Sequence, residues 1–163
     1  MTRRRSKRLT HVGADGSAKM VDVSAKPPTA RMARARGAIR MEKRALAAIR
    51  SHEIAKGDVL SVARIAGIMA AKRTAELIPL CHPLVLDDVQ VEMELDESLP
   101  GIRVESAVRT TGKTGVEMEA IVAVTVALVT VYDMAKSVDR GMTIGDISLV
   151  EKSGGRSGTT SRH

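Results

Sequence analysis

From Ala120 to Val131 the chain reads AIVAVTVALVTV, apolar throughout except for Thr125 and Thr130. A segment with so little polar surface is stable only when neighbouring layers cover it, so it dictates the core around it. Its many β-branched residues leave helix and strand open on propensity. Length favours a helix, and the run is shorter than the ~20 residues that cross a bilayer. A buried helix is expected, bracketed by Glu117, Glu119, Asp133 and Lys136.

The other segments supply the cover. Asp58 can cap a helix reaching about Ile78, with Val62, Ile65, Ala66, Met69 and Leu77 at helical spacing and Pro79 as its stop. Val89, Val91, Met93 and Leu95 alternate with polar residues. After Leu99-Pro100-Gly101, Ile102, Val104, Ser106 and Val108 do the same, which predicts a hairpin with one wet face where acids meet Arg103 and Arg109. Met20 to Ser24 reads as a short strand, and Thr29 to Met41 as a longer one with Arg34, Arg36 and Arg40 on one face. Lys26-Pro27-Pro28 separates the two. Glu42 to His52 has a helical composition, and Met142 to Lys152 supplies a last strand. The sum is an α+β domain, an antiparallel sheet with helices packed on one face. Residues 1–17 and 153–163 are polar and rich in Gly, Ser and charge, so a mobile basic arm and a flexible tail are expected around a single domain, 18–152.

The net charge of +7 suggests a polyanionic partner until its distribution is considered. Arg3, Arg4, Arg5, Lys7 and Arg8 supply five of those charges, and Arg156 and Arg162 the other two, so residues 9–155 are neutral overall. With one Tyr and neither Phe nor Trp, the chain lacks the stacking platforms that RNA-binding sheets use. An RNA-binding module is therefore the weaker alternative to an enzyme, and neither nucleic acid nor membrane is expected as a partner. Cys81 is the only cysteine, which excludes an intrachain disulfide and points to the cytoplasm. His11, His52, His82 and His163 have no metal-ligand spacing, so no metal is expected.

Several residues carry chemistry. Thr111-Gly112-Lys113-Thr114-Gly115 imitates the end of a P-loop, but Ala107 stands where that loop needs its first glycine. The helix start that follows can still attract an anion. His82 lies between Pro79 and Pro83 in a loop whose backbone is fixed. Asp133 and Lys136, three apart, share one face at the end of the apolar helix, where partial desolvation would tune a lysine for proton transfer. Taken singly, Lys56 is a loop lysine and Lys72 part of a wet helix face.

Together the segments Met20–Ser24 (MVDVS), Lys56-Gly57-Asp58, Ala63–Gly67 (ARIAG), Ala70–Thr74 (AAKRT), Leu77–Pro83 (LIPLCHP), Thr111–Ala120 (TGKTGVEMEA), Tyr132–Lys136 (YDMAK) and Lys152–Gly155 (KSGG) resemble the MoaC family of cyclic pyranopterin monophosphate synthases, from about Leu9 to Gly158. The resemblance implies a ferredoxin-like sandwich and a homo-hexamer, a trimer of dimers with active sites at dimer interfaces. It implies a lyase that converts 3′,8-cyclo-7,8-dihydroguanosine triphosphate to cyclic pyranopterin monophosphate and diphosphate without a cofactor. Carried over by position, Lys56, Asp133 and Lys136 are the implied catalytic group. Arg31, Lys72 and Lys152 are implied to hold the substrate and its phosphates, and Leu80, Cys81, His82, Met118 and Glu119 to contact the substrate.

Overall fold

A computed structural model describes residues 17–155 and 158–161, so nearly all of the expected N-terminal arm and part of the expected tail lie outside the described residues. In chain order the elements are β1 (Thr29–Arg40), α1 (Lys43–Arg50), α2 (Val59–Lys72), α3 (Thr74–Leu77), β2 (Asp88–Asp96), β3 (Gly101–Gly112), α4 (Glu117–Ala135), β4 (Thr143–Ser153) and β5 (Thr160–Ser161). The strands form one antiparallel sheet in the order β2-β3-β1-β4-β5. The βαββαβ succession with β1 and β3 central is the ferredoxin-like arrangement. Within the expected tail, Thr160 and Ser161 return to pair with Lys152 and Glu151.

Alternation decides which face is covered. Ala33, Ala35 and Ile39 of β1 and Ile102, Val104 and Val108 of β3 are buried beneath α4. Between them Arg34, Arg36, Arg103 and Arg109 project to the open face. There Asp88 stands opposite Arg109 and Glu94 opposite Arg103, as the pattern predicts. Glu92 instead opposes Glu105, a like-charge pair relieved because Arg34 of β1 ion-pairs with Glu105.

The apolar run is a helix, extended by its polar flanks to 19 residues. At that length α4 is long and apolar enough to cross a membrane on those criteria alone. In this fold Ala120, Ala123, Val124, Ala127, Leu128 and Val131 are fully buried against the sheet and α2.

Two expectations need correction. Met20 to Ser24 is not a strand; it is an extended approach that ends in a turn, where the Lys26 N–H donates to the Val23 carbonyl at 3.0 Å. The expected long helix does start at the Asp58 cap, whose carboxylate accepts from the Ser61 N–H at 3.1 Å, but it breaks at Arg73. Thr74 donates its hydroxyl back to the Ala71 carbonyl at 3.0 Å, and the Arg73 N–H bonds to Ala70, a tight turn that ends the ladder. The helix also buries an unexpected face. Ala63, Gly67, Ala70 and Ala71 meet α4, whereas Val62, Ile65, Met69 and Leu77 are 43, 58, 49 and 56% exposed.

Candidate active site

The charged group predicted from the sequence forms at the C-terminal end of α4. Buried Ile54 anchors the loop before α2, and Gly57, at φ +97°, turns it so that Lys56 reaches back to the last turn of α4. The Lys56 Nζ donates to Asp133 Oδ2 at 2.7 Å and to the Asp133 carbonyl at 2.9 Å. That carbonyl lies in the last turn of the helix, where acceptors outnumber the helix's own donors and the dipole has its negative end. From the other side the Lys136 Nζ lies 2.7 Å from Asp133 Oδ1. Hydrogen bonding from Lys136 first and Lys56 second lowers the Asp133 carboxyl from its ordinary value to about 2. Both amines therefore converge on one ionised carboxylate. In the single chain the Asp133 and Lys136 side chains are about half exposed, so the partial desolvation expected there is slight.

A different set gathers at the other end of α4. Leu80, Cys81, His82, Glu117, Met118 and Glu119 line a cavity of about 310 Å³, near the lower limit for small-molecule clefts. The extended Met20–Ser24 segment forms one wall through Val21 and Val23, and the His82 Nε2 hydrogen-bonds to the Val21 carbonyl at 2.7 Å, which holds the ring in place. Glu119 is only 4% exposed. Burial raises its pKa, with a further increment from the Glu117 charge. Burial and then the Glu119 charge also raise the Cys81 thiol, so Cys81 is a packed thiol, unsuited to attack as a thiolate.

Beside this cleft, Arg31 and Lys152 project from the helix-covered side of neighbouring strands, since Lys152 is in register with Ala33, two residues beyond Arg31. The Arg31 Nε donates to the Gly112 carbonyl at 2.9 Å and Nη2 to the Lys113 carbonyl at 3.3 Å. The Lys152 Nζ lies 3.0 Å from Glu117 Oε1. Lys72 stands apart from the cleft, on a groove of about 400 Å³ with Asp87 and Asp88, which shares Leu84 with the His82 cavity.

The fourteen residues from Glu119 to Asp133 rise about 21 Å along α4. One chain therefore separates the lysine–aspartate–lysine group from the cleft and its cations. A cavity of about 740 Å³ on the open sheet face takes in none of these residues and is lined by Arg36, Glu92, Glu94, Arg103 and Glu105. Sequence reasoning did not single out Glu117 or Val21. The Glu117–Lys152 pair spans 35 residues and leaves no local signal.

A ferredoxin-like α+β fold with paired lysines on a carboxylate at one end of its core helix, and a cleft with buried Glu119 beside Arg31 and Lys152 at the other, defines an α+β protein equipped for proton transfer and anion binding. The MoaC family model matches residues 20–155. A cyclic pyranopterin monophosphate synthase of Methylobacterium sp. (strain 4-46) is 63% identical over 151 residues, 93% of this chain and 94% of the relative. Proteins of the same name from Brucella ovis and Parvibaculum lavamentivorans are 58% and 55% identical, each over 94% of this chain and over 93% and 96% of their own lengths. The chain belongs to the MoaC family.

Proposed function

We propose that this protein is a cyclic pyranopterin monophosphate synthase. It rearranges 3′,8-cyclo-7,8-dihydroguanosine triphosphate into cyclic pyranopterin monophosphate with loss of diphosphate, in molybdenum cofactor biosynthesis. The observation that carries the mechanism is the convergence of Lys56 and Lys136 on Asp133. Two amines fixed about one carboxylate can hand protons to and from a substrate whose ring opens and recloses, while Asp133 orients them. Arg31 and Lys152, with Lys72 from the adjoining groove, hold the triphosphate and stabilise charge on the departing diphosphate. Leu80, Cys81 and His82 with Met118 and Glu119 receive the guanine-derived ring, which a buried carboxyl and an imidazole can hydrogen-bond without stacking.

A separation of about 21 Å between proton-transfer group and cleft is too great for one bound nucleotide to bridge. The reading is therefore a shared site, in which one copy presents Lys56, Asp133 and Lys136 to the cleft of its neighbour. The neighbour also supplies the desolvation that the single chain withholds. The exposed ridge of Val62, Ile65 and Met69 on α2 gives such an assembly apolar surface to cover, consistent with a homo-hexamer built as a trimer of dimers. We place this cofactor-free enzyme in the cytoplasm. Lys56→Ala and Lys136→Ala proteins are expected to stay folded and oligomeric while diphosphate release falls by at least ~10²-fold. Undiminished release in either variant removes that lysine from the mechanism.

A further inference from the structure

Gly154 and Gly155 follow β4 directly, at φ +97° and +71°, and cross over the start of β1. A Cβ on Gly154 would stand 2.3 Å from the Ala30 carbonyl oxygen, so backbone passes against backbone there. On Gly155 it would stand 2.4 Å from Arg31 Nη1 and 3.1 Å from both Cζ and Nη2. The guanidinium is thus confined on two sides. The carbonyls of Gly112 and Lys113 take one N–H from Nε and one from Nη2, and the Gly155 backbone limits the side where Nη1 lies. Of the five N–H donors of arginine, those on Nη1 have no acceptor among the described residues.

We infer that Gly155 is a positioning residue: its missing side chain lets the strap after β4 fix the Arg31 guanidinium so that the Nη1 N–H turned away from the strap is presented to a phosphate of the substrate. The inference rests on the reading of Arg31 as a phosphate ligand. Arginine grips phosphate through a planar fork, and a fork held in one orientation before binding loses less freedom on contact than a mobile one. A β-carbon at 155 would stand 2.4 Å from Nη1, so the guanidinium must shift from its place on the two carbonyls. Gly158 offers an internal control, because it has the same left-handed backbone, φ +63°, with nothing among the described residues within 4 Å of its would-be Cβ. Ala there carries the backbone strain without the collision.

The test is calorimetric binding of inorganic tripolyphosphate to the full chain, with thermal unfolding followed in parallel. G155A is expected to weaken binding by about tenfold or more, as loss of a charge-assisted contact does, and G158A by less than about twofold. In an R31K background, which has no fork to displace, G155A is expected to add no further loss, a non-additivity that a merely structural role does not produce. Equal losses from G155A and G158A, or additive losses with R31K, overturn the positioning role. Full affinity in R31A overturns the reading of Arg31 itself, whatever G155A does. Should G155A unfold, R31K/G155A serves in its place: affinity well below that of R31K alone counts against the inference.

Discussion

Asp133 is the residue on which the proposed proton-transfer group turns. Its side chain accepts from two amines at 2.7 Å, and its carboxyl titrates near 2 because the Lys136 hydrogen bond, and next that of Lys56, favours the anion. The folded value lies below the ordinary 3.8, so the ionised form binds its surroundings more tightly in the folded state. That contribution is fully present above pH 3.8 and is lost as the pH falls through about 2. Asp133→Asn keeps the shape without the charge. Its urea midpoint is expected to lie below that of the wild type at pH 7 and to approach it between pH 4 and pH 2. A gap of constant size across that range would show that the ionised carboxylate is not what the fold loses. Because the group is exposed, the effect on stability is small, and the effect on diphosphate release is the larger of the two.

Among the elements, the α2–α4 crossing decides how the core closes. A Cβ on Gly67 would stand 2.8 Å from the Ala123 carbonyl oxygen and 3.3 Å from the Ala127 Cβ. Alanine would favour the helix by about 1 kcal/mol. Overpacking against a backbone oxygen that cannot move alone costs roughly 1–3 kcal/mol, which outweighs that gain. Gly67→Ala is expected to lower unfolding stability by about 1 kcal/mol at unchanged denaturant dependence, measured by urea titration. A stabilised variant would mean that α2 slides freely over α4. The same crossing explains what the sequence did not disclose. Val62, Ile65, Met69 and Leu77 carry the stronger hydrophobic signal, yet small Ala63, Gly67 and Ala70 win the inner face because only they let the helices approach this closely. Periodicity identified α2 but not which side of it the fold would use. The hairpin from Val89 to Val108 was legible because alternation there leaves one solution, and buried α4 because its length does. Met20–Ser24 was not, because its polar partners, the His82 ring and Lys113 Nζ, come from far along the chain.

At the scale of the whole molecule, the resemblance implied active sites at dimer interfaces, and the single chain divides the site residues between two ends of α4. Nothing in the linear order reveals that division; it follows from α4 running the length of the sheet between its Glu117 and Ala135 ends. A site shared between copies makes a claim that a site within one copy does not. Let one protein carry Lys56→Ala and another His82→Ala, each inactive alone, and let them be unfolded and refolded together in equal amounts. If each site draws its lysines from one copy and its cleft from the next, every mixed dimer holds one doubly damaged site and one intact site. Half of the dimers are mixed under random pairing, so diphosphate release is expected to recover to about a quarter of the wild-type rate. A self-contained site would recover nothing, because no copy in the mixture has both residues. The measurement is the rate of the refolded mixture against the two variants refolded separately. A mixture no faster than its components would return both halves to a single chain, and the shared site would have to be given up.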